Sequence, residues 1–402
     1  MRMPIEIGKP QLFAAFLLCT FFSQSWWLVA HRPLDAEQAA TGAIGRILYN
    51  PALSTDYFPA IRDGIIPCRI AGIVLAARDV IAPRYDDRTA DSAGPALEGA
   101  GIAALYHDRL NQQLLRWPFI LCGLWLGGAI WWVARRLYGN PGGYVALALF
   151  AFSPLLIGYS AMARPEIVAA WAVFGIIFTA MGVGHTLYAP AAQCLPRIAL
   201  LGIAIAVALG SNFGLWITVP LALGFMFYLA PGRRWAAVCA LTLSASLAVV
   251  ILWACYGFHG ALLAKMLARG MTFPSALTGA WTAAANFTLP EALLALFYGF
   301  LLMAALVTYF AWRRARYFGN TGPLLAALVL FLVVAIPGAR YRSVVVEIAP
   351  LVFVFIAGIA ADLLETRHRN LVRGALFTLL AVNVLLCFVA VPRIVAPAFY
   401  VH

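Results

Sequence analysis

The sequence predicts an all-α polytopic membrane protein, a bundle of about eleven transmembrane helices. Hydrophobic residues make up 63% of the 402 residues and charged residues only 11%, and the mean hydropathy is +0.88. A soluble core cannot bury that much apolar surface, whereas a lipid bilayer accommodates it. The apolar residues also fall into runs close to the ~20 helical residues that cross a bilayer.

Eleven apolar runs are candidate spans. The first follows Arg2 and Lys9, and we expect it to be retained, because it is long for a signal peptide and no small-residue cleavage site closes it. Without a clear internal repeat, residues 1–402 are interpreted as a single transmembrane domain. The predicted spans are 11–30, 117–137, 143–160, 167–187, 198–210, 213–229, 235–256, 292–312, 322–337, 344–362 and 371–391.

The distribution of charge predicts the orientation. Every turn assigned to the inner side is basic, as at Arg135 and Arg136, while most acidic residues fall on the other side. Because basic loops stay in the cytoplasm, we expect a cytoplasmic amino terminus in a bacterial inner (plasma) membrane. The extracytoplasmic loops would be 31–115 and 258–290. Within the first, 59–81 is predicted to be an interfacial helix and 84–101 a solvated excursion.

Charge and cysteine content exclude several classes of protein. The formal net charge of +12 comes mostly from arginines in short turns, so no nucleic-acid partner is expected. Most of the seven cysteines lie in apolar runs, and no disulfide framework is visible. No nucleotide-binding loop or metal-spaced Cys/His set occurs. If a divalent cation such as Mg²⁺ or Mn²⁺ binds, carboxylates would have to hold it, and no metal ligands are assigned.

Asp35 and Glu37 follow the first span directly, at the predicted outer membrane surface. Partial desolvation there would raise the pKa of a carboxyl group towards the range useful to a general base. The alternative is an ordinary polar flank after a span.

A dense polar group precedes the second span, with Tyr106, His107 and Arg109 as candidate substrate-binding residues. Such hydrogen-bonding groups suit a sugar or a phosphate. They equally suit an interfacial belt that anchors the helix.

Arg164 and Glu166 lie between the third and fourth spans. Ser153 and Pro154 end or kink the third helix, so the following chain is expected to be irregular and to reach into a cavity. The alternative is a simple turn with an Arg–Glu contact inside one helix.

Arg340, Tyr341 and Arg342 form a basic turn on the predicted outer side, against the general charge rule. A planar guanidinium binds phosphate through two hydrogen bonds, so a lipid phosphate is the natural partner. Binding to the headgroups of membrane lipids in general is the alternative.

Several segments together resemble the GT-C glycosyltransferases, and most closely the bacterial relatives of dolichyl-phosphate-mannose protein mannosyltransferases. Over residues 106–171 the chain reads YHDR, LLRWPFILCG, ARRLYG, ALALFAFSP and ARPE, in that family's order. A second match is GARYRS followed by Pro350. The matches cover part of the chain, and the general layout of spans covers the rest.

The resemblance implies transfer of a sugar from a polyprenyl-phosphate donor, with inversion, to a glycan, lipid or protein acceptor. It places the base at Asp35, although Asp35-Ala36-Glu37 replaces the usual Asp-Glu pair and leaves Glu37 in contention. Glu166 falls where relatives often carry a second acidic residue. The His-Pro-Pro element of many relatives is absent, with residues 56–59 in its place. A non-catalytic GT-C-like protein, or a transporter of lipid-linked glycans, is the alternative function.

Overall fold

The computed structural model describes residues 8–49, 64–81, 108–271, 289–332 and 341–394. Every regular element in those ranges is helical, which confirms the predicted all-α architecture. The α-helices are α1 (Lys9–His31), α2 (Ala36–Ile47), α3 (Ile65–Ile81), α4 (Arg109–Ala151), α5 (Pro154–Ser160), α6 (Pro165–Thr186), α7 (Ala191–Ser211), α8 (Thr218–Leu229), α9 (Arg234–Cys255), α10 (Gly260–Met271), α11 (Leu289–Ala311), α12 (Phe318–Leu330), α13 (Tyr341–Leu364) and α14 (Arg369–Ile394).

The predicted spans all coincide with these helices. Within the described residues, 8 helices are long and apolar enough to cross a membrane, and Phe213–Leu229 and Phe318–Leu330 are shorter apolar segments. The span predicted at 198–210 is longer than expected, because α7 begins at Ala191. The last residues of the span predicted at 322–337 lie outside the described residues.

Helix α4 contains the span predicted at 117–137 and the first part of the span predicted at 143–160, which continues as α5 after a break at Phe152 and Ser153. Its helical geometry breaks at Gly139 (φ 73°, ψ −172°), a left-handed backbone conformation that glycine adopts without a steric penalty. A Cβ atom added at Gly127 would lie 2.7 Å from the ring of Phe150, so the two arms lie side by side. The pair therefore forms the hairpin that the two apolar runs and their basic turn predict.

Helices α6 and α13 form the centre of the bundle. Of the most apolar 18-residue stretch in each helix, 72% is buried in α6 and 83% in α13, compared with 17% in α11. Apolar side chains on all sides of a helix require either protein or lipid around it. The central helices therefore meet mainly protein, while α11 leaves most of its surface for the bilayer.

Helices α2 and α3 pack together at the end of the bundle that carries Asp35, named here the Asp35 end. A Cβ atom on Gly45 would lie 2.2 Å from the Cys68 carbonyl oxygen, and one on Gly72 would lie 2.1 Å from the Gly45 oxygen. The two backbones thus touch directly at a glycine crossing. The helix predicted at 59–81 begins at Ile65 in the described chain, and it buries Ile65 and Leu75 against the protein.

The opposite end of the bundle, named here the Asn320 end, holds a second set of polar contacts. Tyr138 Oη donates to the Gly319 carbonyl at 2.5 Å. Asn320 is fully buried, and its Nδ2 donates to Asp362 Oδ2 at 2.8 Å. These bonds join α4, α12 and α13 to one another.

Candidate active site

The candidate site is built around Asp35, which caps the amino terminus of α2. Its Oδ1 accepts from the Gln38 backbone N–H at 2.8 Å, and its Oδ2 accepts from Gln38 Nε2 at 2.7 Å. A carboxylate is among the best N-caps because it satisfies backbone donors that a helix start leaves open. The local sequence therefore explains this carboxylate as a helix cap. If Asp35 also acts in a reaction, the capping carboxylate is the reactive group.

Arg164 approaches Asp35 from the far side of the first hairpin. Pro154 begins α5 and Pro165 begins α6, and Arg164 is the N-cap of α6 with an extended backbone. Its Nη2 lies 3.2 Å from Asp35 Oδ2 and 2.7 Å from Glu37 Oε2. One guanidinium thus joins both predicted catalytic carboxylates, and the chain before α6 reaches sideways as the broken helix pattern predicts.

Two buried residues behind Asp35 complete the cluster. Gln38 Oε1 accepts from Arg116 Nε at 2.9 Å and from the Ala163 backbone N–H at 3.2 Å. Arg116 also donates to the carbonyls of Arg32 and Pro33, each at 2.8 Å. Both side chains are fully buried. Arg116 is the last residue of the polar group that precedes the second span, but it was not assigned to the site. Gln38 was not assigned either, and a glutamine three positions after an N-cap was the available signal for it.

The charge balance around Asp35 overturns the expectation of a raised pKa. Burial alone would raise the pKa of this carboxyl group, but the Arg164 guanidinium, the two Gln38 donors and Arg32 outweigh it. The net result is a pKa below the ordinary value. For Arg164, burial works against the charge, yet Asp35, Glu37 and Glu166 raise its pKa. Asp35 and Arg164 therefore both favour their ionised forms near neutral pH.

Arg109 lies beside this cluster and not inside it. It is exposed in the first turn of α4 and lines a surface groove of about 390 Å³ together with His31, Arg32 and Gln113. Arg32 links the groove to the cluster, because its Nη2 lies 3.7 Å from Asp35 Oδ2. Next to Arg109, Asp108 caps α4 and pairs with Arg78 at 2.8 Å, a hydrogen bond that lowers the pKa of Asp108.

The remaining predicted site residues differ in where they lie and in whether the structure describes them. Glu166 is in the first turn of α6, half-buried, and close enough to Arg164 to support its charge. Tyr341 and Arg342 begin α13. Tyr106, His107 and Arg340 lie outside the described residues.

A second buried carboxylate, Glu347, lies near the start of α13. It is 2% exposed, and its Oε1 accepts from Asn212 Nδ2 at 3.3 Å. Asn212 follows the last residue of α7, so the contact joins two spans at the Asp35 end. Glu347 was not among the residues that the sequence assigned to the site.

The described residues do not fit a divalent cation well. Within the ranges described above, no group of three or more His, Cys, Asp or Glu side chains could hold a metal ion. The carboxylates of Asp35 and Glu37 both face the Arg164 guanidinium. The Mg²⁺ or Mn²⁺ considered from the sequence thus lacks a complete ligand set in this part of the chain.

Comparison with known proteins gives structural neighbours only. No family model and no curated protein sequence matches the chain. Its fold is similar to the apo crystal structure of ArnT from Cupriavidus metallidurans, with a TM-score of 0.60 at 14% identity, over 96% of this chain and 75% of that one. ArnT from the same organism bound to undecaprenyl phosphate gives a TM-score of 0.51 at 14% identity, over 87% and 59%.

A third neighbour is the oligosaccharyltransferase of Archaeoglobus fulgidus in complex with Zn and sulfate. The TM-score is 0.57 at 13% identity, over 93% of this chain and 52% of that one. The chain thus spans about half the length of the archaeal enzyme. At such low identity these likenesses show the fold alone, which this chain shares with ArnT and with the archaeal oligosaccharyltransferase.

Proposed function

We propose that this chain is an integral-membrane glycosyltransferase that moves a sugar from a polyprenyl-phosphate donor to an extracytoplasmic acceptor. The observation that carries the proposal is the Asp35–Arg164–Glu37 cluster at one end of a GT-C fold. Buried or half-buried charges at membrane depth are costly and mark functional sites. The ArnT neighbour bound to undecaprenyl phosphate supports a lipid-phosphate donor.

The proposed reaction is a single displacement with inversion. The acceptor hydroxyl attacks the anomeric carbon, the bond from that carbon to the phosphate oxygen breaks, and the hydroxyl proton passes to a carboxylate. Asp35 is the first candidate base. Glu37 is the second, because its side chain is 57% exposed and can meet an acceptor from solvent.

The departing polyprenyl phosphate gains negative charge, which a preorganised cation stabilises in a low-dielectric site. We assign this role to the arginines of the 340–342 turn, by sequence position, with Arg109 at the neighbouring groove as a further phosphate contact. Arg164 instead holds the carboxylate pair. The proposed orientation puts all of these groups on the extracytoplasmic side of a bacterial inner membrane, with the amino terminus in the cytoplasm.

Transfer of labelled sugar from polyprenyl-phosphate donors in proteoliposomes tests the proposal. Asp35→Asn keeps a good N-cap, so its loss of activity reports charge and not folding. We expect the Asp35→Asn, Glu37→Gln double variant to be inactive, and the two single variants to identify the base. Transfer at the wild-type level by the double variant would exclude both carboxylates.

The alternative is a non-catalytic GT-C-like protein, or a transporter, that binds lipid-linked glycans. The observation in its favour is that Asp35 accepts three hydrogen bonds within the cluster, from Gln38 and Arg164. Saturable donor binding with no product across a panel of sugars and acceptors would favour it over the transferase.

A further inference from the structure

We infer that Gln38 and Arg116 are positioning residues, which hold the Asp35 carboxylate in one orientation and in its ionised form beside Arg164. Their role in transfer rests on the proposed function, whereas the hydrogen-bond arrangement can be tested without any transfer. Neither residue would contact substrate, because both side chains are fully buried behind Asp35.

The orientation of the Gln38 amide is dictated by its neighbours. Arg116 Nε and the Ala163 backbone nitrogen can only donate, so the Gln38 oxygen must face them. The Gln38 NH₂ group must then face Asp35 Oδ2, at 2.7 Å. Since the Gln38 backbone N–H donates to Oδ1 at 2.8 Å, both oxygens of Asp35 accept a hydrogen bond from the same residue. Hydrogen bonds donated to both oxygens favour the ionised carboxylate over the protonated acid.

Arg116, which fixes the orientation of the Gln38 amide, is itself held by hydrogen bonds to backbone carbonyls. Its Nη1 donates to the carbonyls of Val29 and Arg32 at 3.3 and 2.8 Å, and its Nη2 donates to Pro33 at 2.8 Å. These carbonyls belong to the end of α1 and the segment that leads to Asp35. One buried side chain from α4 therefore ties together the linker, the amide of Gln38 and, through Ala163, the chain that carries Arg164.

The charged groups that face Asp35 come from several elements. Arg32 approaches from the linker, Glu37 from α2, and Arg164 from the start of α6 with Glu166 beside it. Helix α3 packs on α2, but the arginines of α3 bind groups other than Asp35. Arg69 donates to the Leu48 and Cys255 carbonyls, and Arg78 pairs with Asp108.

Gln38→Glu changes one NH₂ group to an oxygen and keeps the size of the side chain. The new carboxylate would face Asp35 Oδ2 at the distance now spanned by a hydrogen bond of 2.7 Å. Two carboxylates so close share a proton, and one pKa of the pair rises. At neutral pH the cluster would then lose much of the ionised Asp35 that the wild type keeps.

The first experiment measures melting temperature against pH for the purified protein, with no substrate. A raised pKa in the folded state stabilises below the unfolded value and is lost as pH rises through the folded one. The melting temperature of Gln38→Glu should therefore fall, relative to wild type, between about pH 5 and 8. Adding Asp35→Asn should abolish this slope. The control is Gln193→Glu, which adds the same charge at an exposed position at the start of α7.

The second experiment measures transfer against pH with the same variants. The acidic limb of the profile for Gln38→Glu should move to higher pH, into the same range of about pH 5 to 8, while KM changes little. A limb near pH 7 would make kcat at pH 6 about tenfold lower than its value at high pH. Higher pH should restore the rate, which a merely structural defect would not do. Absence of the melting slope overturns the inference. If the slope is present but wild type transfers no sugar, the proposed function fails and the positioning stands.

Gln38→Met serves if the glutamate variant does not fold. It keeps an unbranched side chain of similar length and removes the donor to Asp35, while Arg116 retains its three carbonyl partners. Its acidic limb should also move to higher pH, by less than that of Gln38→Glu. An unchanged profile would contradict the role of the Gln38 amide.

Discussion

The two ends of the bundle treat buried polar groups differently. At the Asp35 end, two carboxylates share one guanidinium that is itself mostly buried. At the Asn320 end, the carboxylate of Asp362 is held by a neutral amide, and the ion pair there, Arg314 with Glu365 at 2.7 Å, is about two-thirds exposed on each side. A hydrogen bond from a neutral side-chain amide is thus enough to join two helices. Two carboxylates around a buried guanidinium are more than is needed to join two helices, and this difference supports the function proposed for the Asp35 end.

The largest expected effect concerns Arg164. Arg164→Gln should lower transfer by about a hundredfold or more, because it leaves Asp35 and Glu37 without their shared cation in a low-dielectric site. Asn320→Ala also removes a buried polar side chain. It should nevertheless leave kcat within about twofold of the wild-type value, because Asn320 lies at the end of the bundle opposite Asp35. Rates are compared per folded protein. Equal losses of transfer activity in Arg164→Gln and Asn320→Ala would contradict a functional difference between the two ends.

The next effect concerns stability at the Asn320 end. Asn320→Ala should lower the free energy of unfolding by about 1–3 kcal/mol, because Asp362 and the Ala315 carbonyl each lose a donor. Thermal unfolding in one detergent measures this. Arg314→Gln is the matched control, since an exposed ion pair contributes at most about 1 kcal/mol. A control loss as large as that of Asn320→Ala would contradict the assignment.

The smallest effect is the response of the Asp35 end to acid. The pKa of Asp35 is lower in the folded protein than the ordinary 3.8. Its stabilising contribution is therefore complete above that value and disappears as pH falls through the folded pKa. Melting temperature should decline less steeply below pH 4 in Asp35→Asn than in wild type, measured in about half-unit steps. Identical slopes would show that the carboxylate is not held as its contacts indicate.

Much of the fold could be predicted because spans leave a local signature. Apolar runs and basic turns predicted the long apolar helices of the bundle, though not α2 or α10, and the hairpin break at Gly139 falls at the expected turn. The carboxylates Asp35 and Glu37 were also found, from their position after α1. The groups that surround these two carboxylates could not be predicted. Arg164 lies 129 residues from Asp35 along the chain, and no local pattern reports such a contact. The expected rise in the pKa of Asp35 was wrong for that reason.

The buried partners show the same limit. Gln38 lies three residues from Asp35, but what makes it informative is the contact to Arg116, 78 residues away. Glu347 was not assigned to the site, since its bond to Asn212 crosses 135 residues. Periodicity indicates which face of a helix is buried, whereas the identity of a polar partner depends on how the helices pack.

The glycine crossing of α2 and α3 has a consequence for variation in this protein. A Cβ atom at Gly45 or Gly72 would meet backbone, not a movable side chain. In a selection that scores every amino acid at every position, these two should be depleted of all substitutions, even alanine. Gly128, where a Cβ would meet nothing within 4 Å, should accept many. Such a screen would detect the helix crossing that supports Asp35 without any knowledge of donor or acceptor.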